Sequence, residues 1–206
     1  MGTITVAEIY AGLRYTGGEK WSGGSLTYSI PNPGTSFWQP GSYDPGDEPF
    51  NAAFGVLNTV QRTAFINAIG AWERLIDLDL VEAPDDNSSQ GQIRIAFTET
   101  DDYSDDAAAY AYRPPQPGGS VAAFHGDIWI DEQYKTDDAE PGGFLYETFL
   151  HELGHALGLK HPFDGTPLPG EFDNTRYTVM SYTDFPDSNL RFFELENGSL
   201  FANTFI

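Results

Sequence analysis

The sequence predicts an α/β-type (α+β) domain in which one sheet is backed by two long helices. Three observations carry this reading. The segments "SLTYSIP" (25–31), "QIRIAFT" (92–98), "AAYAYR" (108–113) and "GDIWID" (126–131) have the alternation or compact apolar character of strands. Val60, Ala64, Ala68, Trp72, Leu75 and Ile76 recur at helical spacing between Thr59 and Leu78. A second apolar helical stripe, Leu150, Leu153, Ala156 and Leu157, runs through "FLHELGHALGLKHP" (149–162). The order strand, long helix, several strands, helix places both helices against one sheet.

The elements follow in chain order. Residues 4–13, "ITVAEIYAGL", read as a short helix ending near Gly12. The strand at 25–31 stops at Pro31, and residues 32–55, rich in Pro, Gly, Asp and aromatics, read as an irregular connection. Asn58 or Thr59 is positioned to cap the long helix. "PDDNSSQG" (84–91) is a turn-rich loop, and "PPQPGGS" separates the last two strands. Beyond residue 162 the composition is that of loop. No internal repeat or long linker is present, so residues 1–206 read as one domain, with an N-terminal lobe over about 1–161 and a smaller irregular lobe over about 162–206.

Composition excludes several classes of function. At 40% hydrophobic and 15% aromatic, a chain of 206 residues buries a substantial core. Its net charge of -21, from 31 acidic and 10 basic residues, repels phosphate backbones and anionic lipid. Neither nucleic acid nor membrane is therefore an expected partner, and a monomer is expected. With no cysteine, disulfides, thiolate metal sites and a cysteine nucleophile are excluded. The first twenty residues show no basic segment followed by an apolar core, so no standard signal peptide is visible, and no apolar run of membrane-spanning length occurs.

The chemistry is concentrated in residues 151–161, H-E-L-G-H-A-L-G-L-K-H. On a helix His151 and His155 lie four apart, so both rings project from one face and can reach one zinc ion at about 2.0–2.1 Å. Glu152, beside the first of them, can accept a proton from water activated by the metal. Leu150, Leu153, Ala156 and Leu157 fill a different face, so core and metal site coexist. Gly158 can take a positive φ, end the helix and bring His161 back to the same metal, and Pro162 bars a return to helix. Further on, "YTVMSY" (177–182) places Met180 as a floor beneath the metal, the pairing of zinc helix and methionine turn that marks the metzincins.

Together these stretches resemble the catalytic domain of the serralysins, zinc endopeptidases within the metzincins. Pro162 after the third histidine, Tyr182 two positions after Met180, "GGSLTYSI", "GDIWI" and "AYAY" (109–112) carry the likeness, which spreads over most of residues 4 to 182. The resemblance implies a two-lobed metzincin-like domain with a twisted, mostly parallel sheet and an antiparallel edge strand. It implies His151, His155 and His161 as zinc ligands, Glu152 as general base, and Tyr182 as a further ligand that can swing to stabilise the oxyanion. It implies an extended polypeptide bound along Ala109, Tyr110, Ala111 and Tyr112, with the loop 163–176 walling the pocket beyond the scissile bond. Secretion, polypeptide substrates and room for a proteinaceous inhibitor are implied in the same way. The chain contains no G-G-x-G-x-D repeat, so no calcium-binding β-roll is expected within it, and the segment from residue 184 onward lacks the apolar helix that closes such domains.

Two features stay outside this picture. His125 reads as a hydrogen-bonded or surface histidine. The acidic run "TETDDYSDD" (98–106) is a weak candidate for Ca2+ but lacks the glycine and final glutamate of an EF-hand loop, so a solvated loop is expected. The function read from the sequence is zinc-dependent endoproteolysis. Its competitors are a catalytically silent zinc-bearing peptide-binding module, which would have no use for Glu152, and a narrow exopeptidase on the same scaffold.

Overall fold

A computed structural model describes residues 3–34, 38, 43–100, 107–185, 193–194 and 200–201. The first helix, α1 (Val6–Leu13), begins where Thr5 takes an extended conformation and forms a capping box with Glu8. The strand β1 (Ser25–Ser29) follows, and the described residues from there to Asn58 are mostly irregular, with a 3-10 turn at Glu48–Phe50.

The long helix α2 (Thr59–Glu73) starts at Asn58, whose side chain accepts from the Gln61 amide while the Gln61 side chain accepts from Asn58 N. It ends five residues before the expected Leu78. Its buried stripe is Gln61, Ala64, Phe65, Ala68 and Ile69. Val60 and Leu75, expected on that face, are exposed. Gln61 takes the inner position because its amide donates to the Lys135 and Asp137 carbonyls at 3.1 and 3.0 Å. Leu75 lies past the last turn. Shortening the helix leaves room for β2 (Asp79–Glu82), a strand the sequence reading missed.

Then come β3 (Ile93–Thr98), β4 (Ala109–Ala111), β5 (Asp127–Asp131) and α3 (Phe144–Leu157). The sheet order is β2-β1-β3-β5-β4, with every pair parallel except β4 against β5. This is the mostly parallel sheet with one antiparallel edge strand. From 162 to 185 the chain is turn and loop, as expected, and a small antiparallel pair forms from β6 (Phe193–Glu194) and β7 (Leu200–Phe201). Residues 101–106 of the acidic run, and most of the tail read as lacking a closing helix, lie outside the described residues. No helix among the described residues is long and apolar enough to cross a membrane.

Both faces of β3 and β5 are buried, and the alternation of their side chains shows why. Ile93, Ile95, Phe97, Ile128 and Ile130 face Phe65, Ile69, Phe149 and Leu153 of the two long helices. The other residues of the same strands face the irregular segment: Trp129 stacks on Trp38 at 5.1 Å and meets Phe54 and Tyr43 edge-on. On this second face Arg94 grips Asp127 with two hydrogen bonds, of 2.9 and 2.7 Å, and both side chains are 1% exposed. Trp38, Tyr43 and Phe54 of the segment 32–55 thus cover the sheet's outer face.

Candidate metal centre

Helix α3 carries the first two histidines. His151, Glu152 and His155 are all buried, while Leu153 and Ala156 enter the core and Leu150 and Leu157 pack at its margin. Gly158 closes the helix at φ 107°, a left-handed conformation open to glycine at little cost, and its N–H reaches back to Gly154 and His155 carbonyls. The chain reverses there. His161 Nε2 then lies 3.2 Å from His151 Nε2 and 3.1 Å from His155 Nε2.

The other nitrogen of each ring has an acceptor. His151 Nδ1 is 2.8 Å from the Val179 carbonyl, His155 Nδ1 is 2.9 Å from the Leu159 carbonyl, and His161 Nδ1 is 3.0 Å from Asp164 Oδ2. Carbonyls and carboxylates only accept, so each Nδ1 carries the hydrogen and each Nε2 presents a lone pair. Burial lowers all three pKa values, to about 4 for His151 and about 3 for His155, so the rings are neutral at pH 7. Three lone pairs converging on one point repel one another unless a cation sits among them. Two nitrogens on tetrahedral directions at about 2.05 Å from zinc would be about 3.3 Å apart, close to the spacing seen. The donor set fits zinc.

Glu152 borders the same cleft as the three histidines, with one carboxylate oxygen, Oε2, buried and without a hydrogen-bond partner among the described residues. Burial pushes its carboxyl up to about 8. A bound dication would pull it back down. The Tyr182 hydroxyl is 2.8 Å from His161 Nε2, and its ring, 69% exposed, stacks on His151 at 5.4 Å. Met180 is fully buried beneath α3.

Gly154 accounts for that close seat. A Cβ there would run into Met180 Sδ and lie 3.2 Å from Trp72 Cζ2. Alanine in mid-helix is ordinarily better than glycine by about 1 kcal/mol. Here the clash reverses the sign, and Gly154→Ala is expected to destabilise by about 1–3 kcal/mol in urea unfolding. In a Met180→Ala background the penalty is expected to shrink to that of the Trp72 contact.

His151, Glu152, His155, His161 and Tyr182 line one cleft of about 880 Å³, together with residues 107–111, Phe144, Glu147 and Ser181. Its upper border is β4, the end strand of the sheet. Backbone bonds from Asp131 N to Ala108 O, Tyr112 N to Asp127 O and Gly126 N to Tyr112 O point residues 108 and 112 toward β5. By alternation the main-chain groups of Ala109 and Ala111 face away from β5. Tyr110 and Tyr112 turn their rings to the outer face, where both hydroxyls bond Glu48 Oε1, and Tyr112 is not among the residues that border the cleft. His125 is apart from the site, its Nδ1 2.8 Å from the Arg113 carbonyl. The sequence reading missed the supports of the rings. The Val179 and Leu159 carbonyls leave no mark in a sequence, whereas Asp164, three residues after His161, was a legible one.

A mostly parallel sheet, a histidine helix ending at a left-handed glycine and a buried methionine turn define a metzincin-type catalytic domain, whose cofactor is zinc. Residues 48–168 match the matrixin family, Peptidase M10, and the chain belongs to it. The chain is similar to the serralysin of Photorhabdus sp. (strain Az29), 29% identical over 163 residues, which covers 72% of this chain and 32% of that protein. It is also similar to the serralysin of Proteus mirabilis, 27% identical over 183 residues (81% and 35%). A third relative, the metallopeptidase AprA of Pseudomonas marginalis, is 29% identical over 155 residues (68% and 30%). The chain thus spans about a third of the length of these curated relatives.

Proposed function

We propose that this chain acts as a zinc endopeptidase domain that hydrolyses internal bonds of extended polypeptides, and that it acts outside the cell, as its likeness to serralysins suggests. The observation that carries the reading is the convergence of three imidazole Nε2 atoms beside a carboxylate oxygen with no partner, inside an open cleft. His151, His155 and His161 hold zinc through Nε2. Bound there, zinc supplies Lewis acidity, polarising a carbonyl and lowering the pKa of water to about 7.

The chain's own groups do the rest. Ala109 and Ala111 pair with the substrate main chain as an added antiparallel strand, which fixes the peptide's direction with little regard to side chains. Tyr110 supports that strand from its outer face, as Tyr112 does beyond the cleft. Glu152 takes the proton of the attacking water on its carboxylate and returns it to the leaving amine. Tyr182, 69% exposed, either completes the resting metal shell or turns its hydroxyl to donate to the developing oxyanion.

Metal removal tests the proposal. Exhaustive chelation is expected to abolish cleavage of an unfolded, fluorophore-labelled polypeptide, and one equivalent of zinc to restore it. Cleavage that persists in the metal-free protein would overturn the proposal. Zinc binding without any cleavage would favour a silent peptide-binding module.

A further inference from the structure

Lys160 stands immediately before the third histidine and is 3% exposed. Its ammonium, with three hydrogens to share, lies within hydrogen-bond distance of four backbone carbonyls: Gly12 and Asp164 at 2.6 Å, Thr166 at 3.1 Å and His161 at 3.3 Å. One of these belongs to the last turn of α1, and three belong to the loop that begins with His161. The backbone reinforces the same junction, with Lys160 N donating to Leu13 O at 2.9 Å and a bridge between Arg14 and Leu159. Asp164, whose carbonyl the ammonium holds, places its carboxylate 3.0 Å from His161 Nδ1. The connection therefore runs from ammonium to Asp164 backbone, to Asp164 carboxylate, to the ring.

His161 is the histidine that needs such a support. His151 and His155 ride on α3, whose geometry sets their spacing. His161 lies in irregular chain beyond Gly158 and is only half-buried, so nothing in regular secondary structure orients it.

We propose that Lys160 is the positioning residue of the third histidine: it anchors the loop 161–166 to α1 and, through Asp164, sets the orientation of the His161 ring. The proposal rests on the reading of the three histidines as zinc ligands. It also ties α1, which lies outside the matched residues 48–168, to the metal centre.

The test is a double-mutant cycle of Lys160→Met and Asp164→Ala. It is read as the rate of zinc release to a competing chelator and as the visible spectrum of the cobalt-substituted protein. Supports of metal ligands alter affinity by about 10–100-fold. Each single variant is expected to release zinc about 10–100 times faster, and both are expected to shift the cobalt bands in the same sense. The double variant is expected to be no faster than the faster single one, because both act on one ring. A lysine that only stabilises the fold would lower the melting temperature and leave release rate and cobalt spectrum unchanged, which overturns the proposal. So would additive effects. Should Lys160→Met fail to fold, Lys160→Gln, which keeps an amide donor, enters the same cycle with the same expected outcomes. Failure of the unaltered protein to bind zinc or cobalt overturns the reading of the site itself, and this proposal with it.

Discussion

Glu152→Gln lowers the rate of peptide hydrolysis by about 10²–10⁴-fold, the range for loss of a general base, while the protein keeps one equivalent of zinc. The amide has the size of the carboxylate and cannot take a proton, so the change isolates that one property. Retained zinc is part of the expectation, because the three imidazoles keep their Val179, Leu159 and Asp164 partners. A drop of less than about tenfold would remove Glu152 from the mechanism.

The same substitution has a consequence for stability. Burial raises the Glu152 carboxyl from 4.5 to about 8 in the metal-free fold. Above pH 4.5 the unfolded chain releases this proton and the folded chain keeps it, so folding loses stability as pH rises toward 8. Glutamine carries no such dependence. In chelator, Glu152→Gln is therefore expected to match the unaltered protein in unfolding free energy at pH 4.5 and to exceed it at pH 8, by an amount on the order of a few kcal/mol. The buried carboxyl is held at a cost to the fold, the kind of trade found at functional sites.

Asp127→Asn is the second large effect, and it lies on the opposite face of the sheet. It strips the carboxylate from a guanidinium that is 1% exposed and stacked over Trp38 at 4.0 Å. It also weakens the acceptor for the Tyr43 hydroxyl, now 2.7 Å away. Breaking a buried ion pair from one side costs about 3–5 kcal/mol. For a chain of this length that corresponds to a fall of roughly 6–20 °C in melting temperature. Replacing both partners, as Arg94→Met with Asp127→Leu, is expected to recover most of the loss, since apolar substitution of a whole buried pair is often close to neutral. Zinc binding below the transition is expected to persist. A shift under 2 °C for Asp127→Asn would contradict the role assigned to the pair.

Particular residues show what a sequence can disclose. The strands β3 and β5 were legible because Ile93, Ile95, Phe97, Ile128 and Ile130 alternate with residues that need a different neighbour. The strand β2 was not, since only Leu80 of its four residues is buried and Leu75 and Ile76 imitate another turn of helix just before it. The ion pair was hidden for a related reason: Arg94 and Asp127 sit 33 residues apart, and only the register of β3 on β5 sets them side by side.

In the site, the legible part was the part that helical geometry dictates. His151 and His155 can only lie on one face when four apart, and Gly158 can reverse the chain without strain. What placed the Nδ1 hydrogens was silent, because two of the three acceptors are backbone carbonyls. Lys160 was equally silent. A lysine beside a histidine reads as a surface residue until the fold brings the end of α1 within 2.6 Å of its ammonium.

The most direct measurement is mass-spectrometric mapping of the cuts that the zinc-loaded chain makes in a long unfolded polypeptide, with Glu152→Gln run in parallel. The account predicts cuts at many internal positions, with varied flanking side chains, from the unaltered protein and almost none from the variant. Trimming confined to chain ends, equal cutting by both proteins, or no cutting by a fully zinc-loaded chain would contradict it.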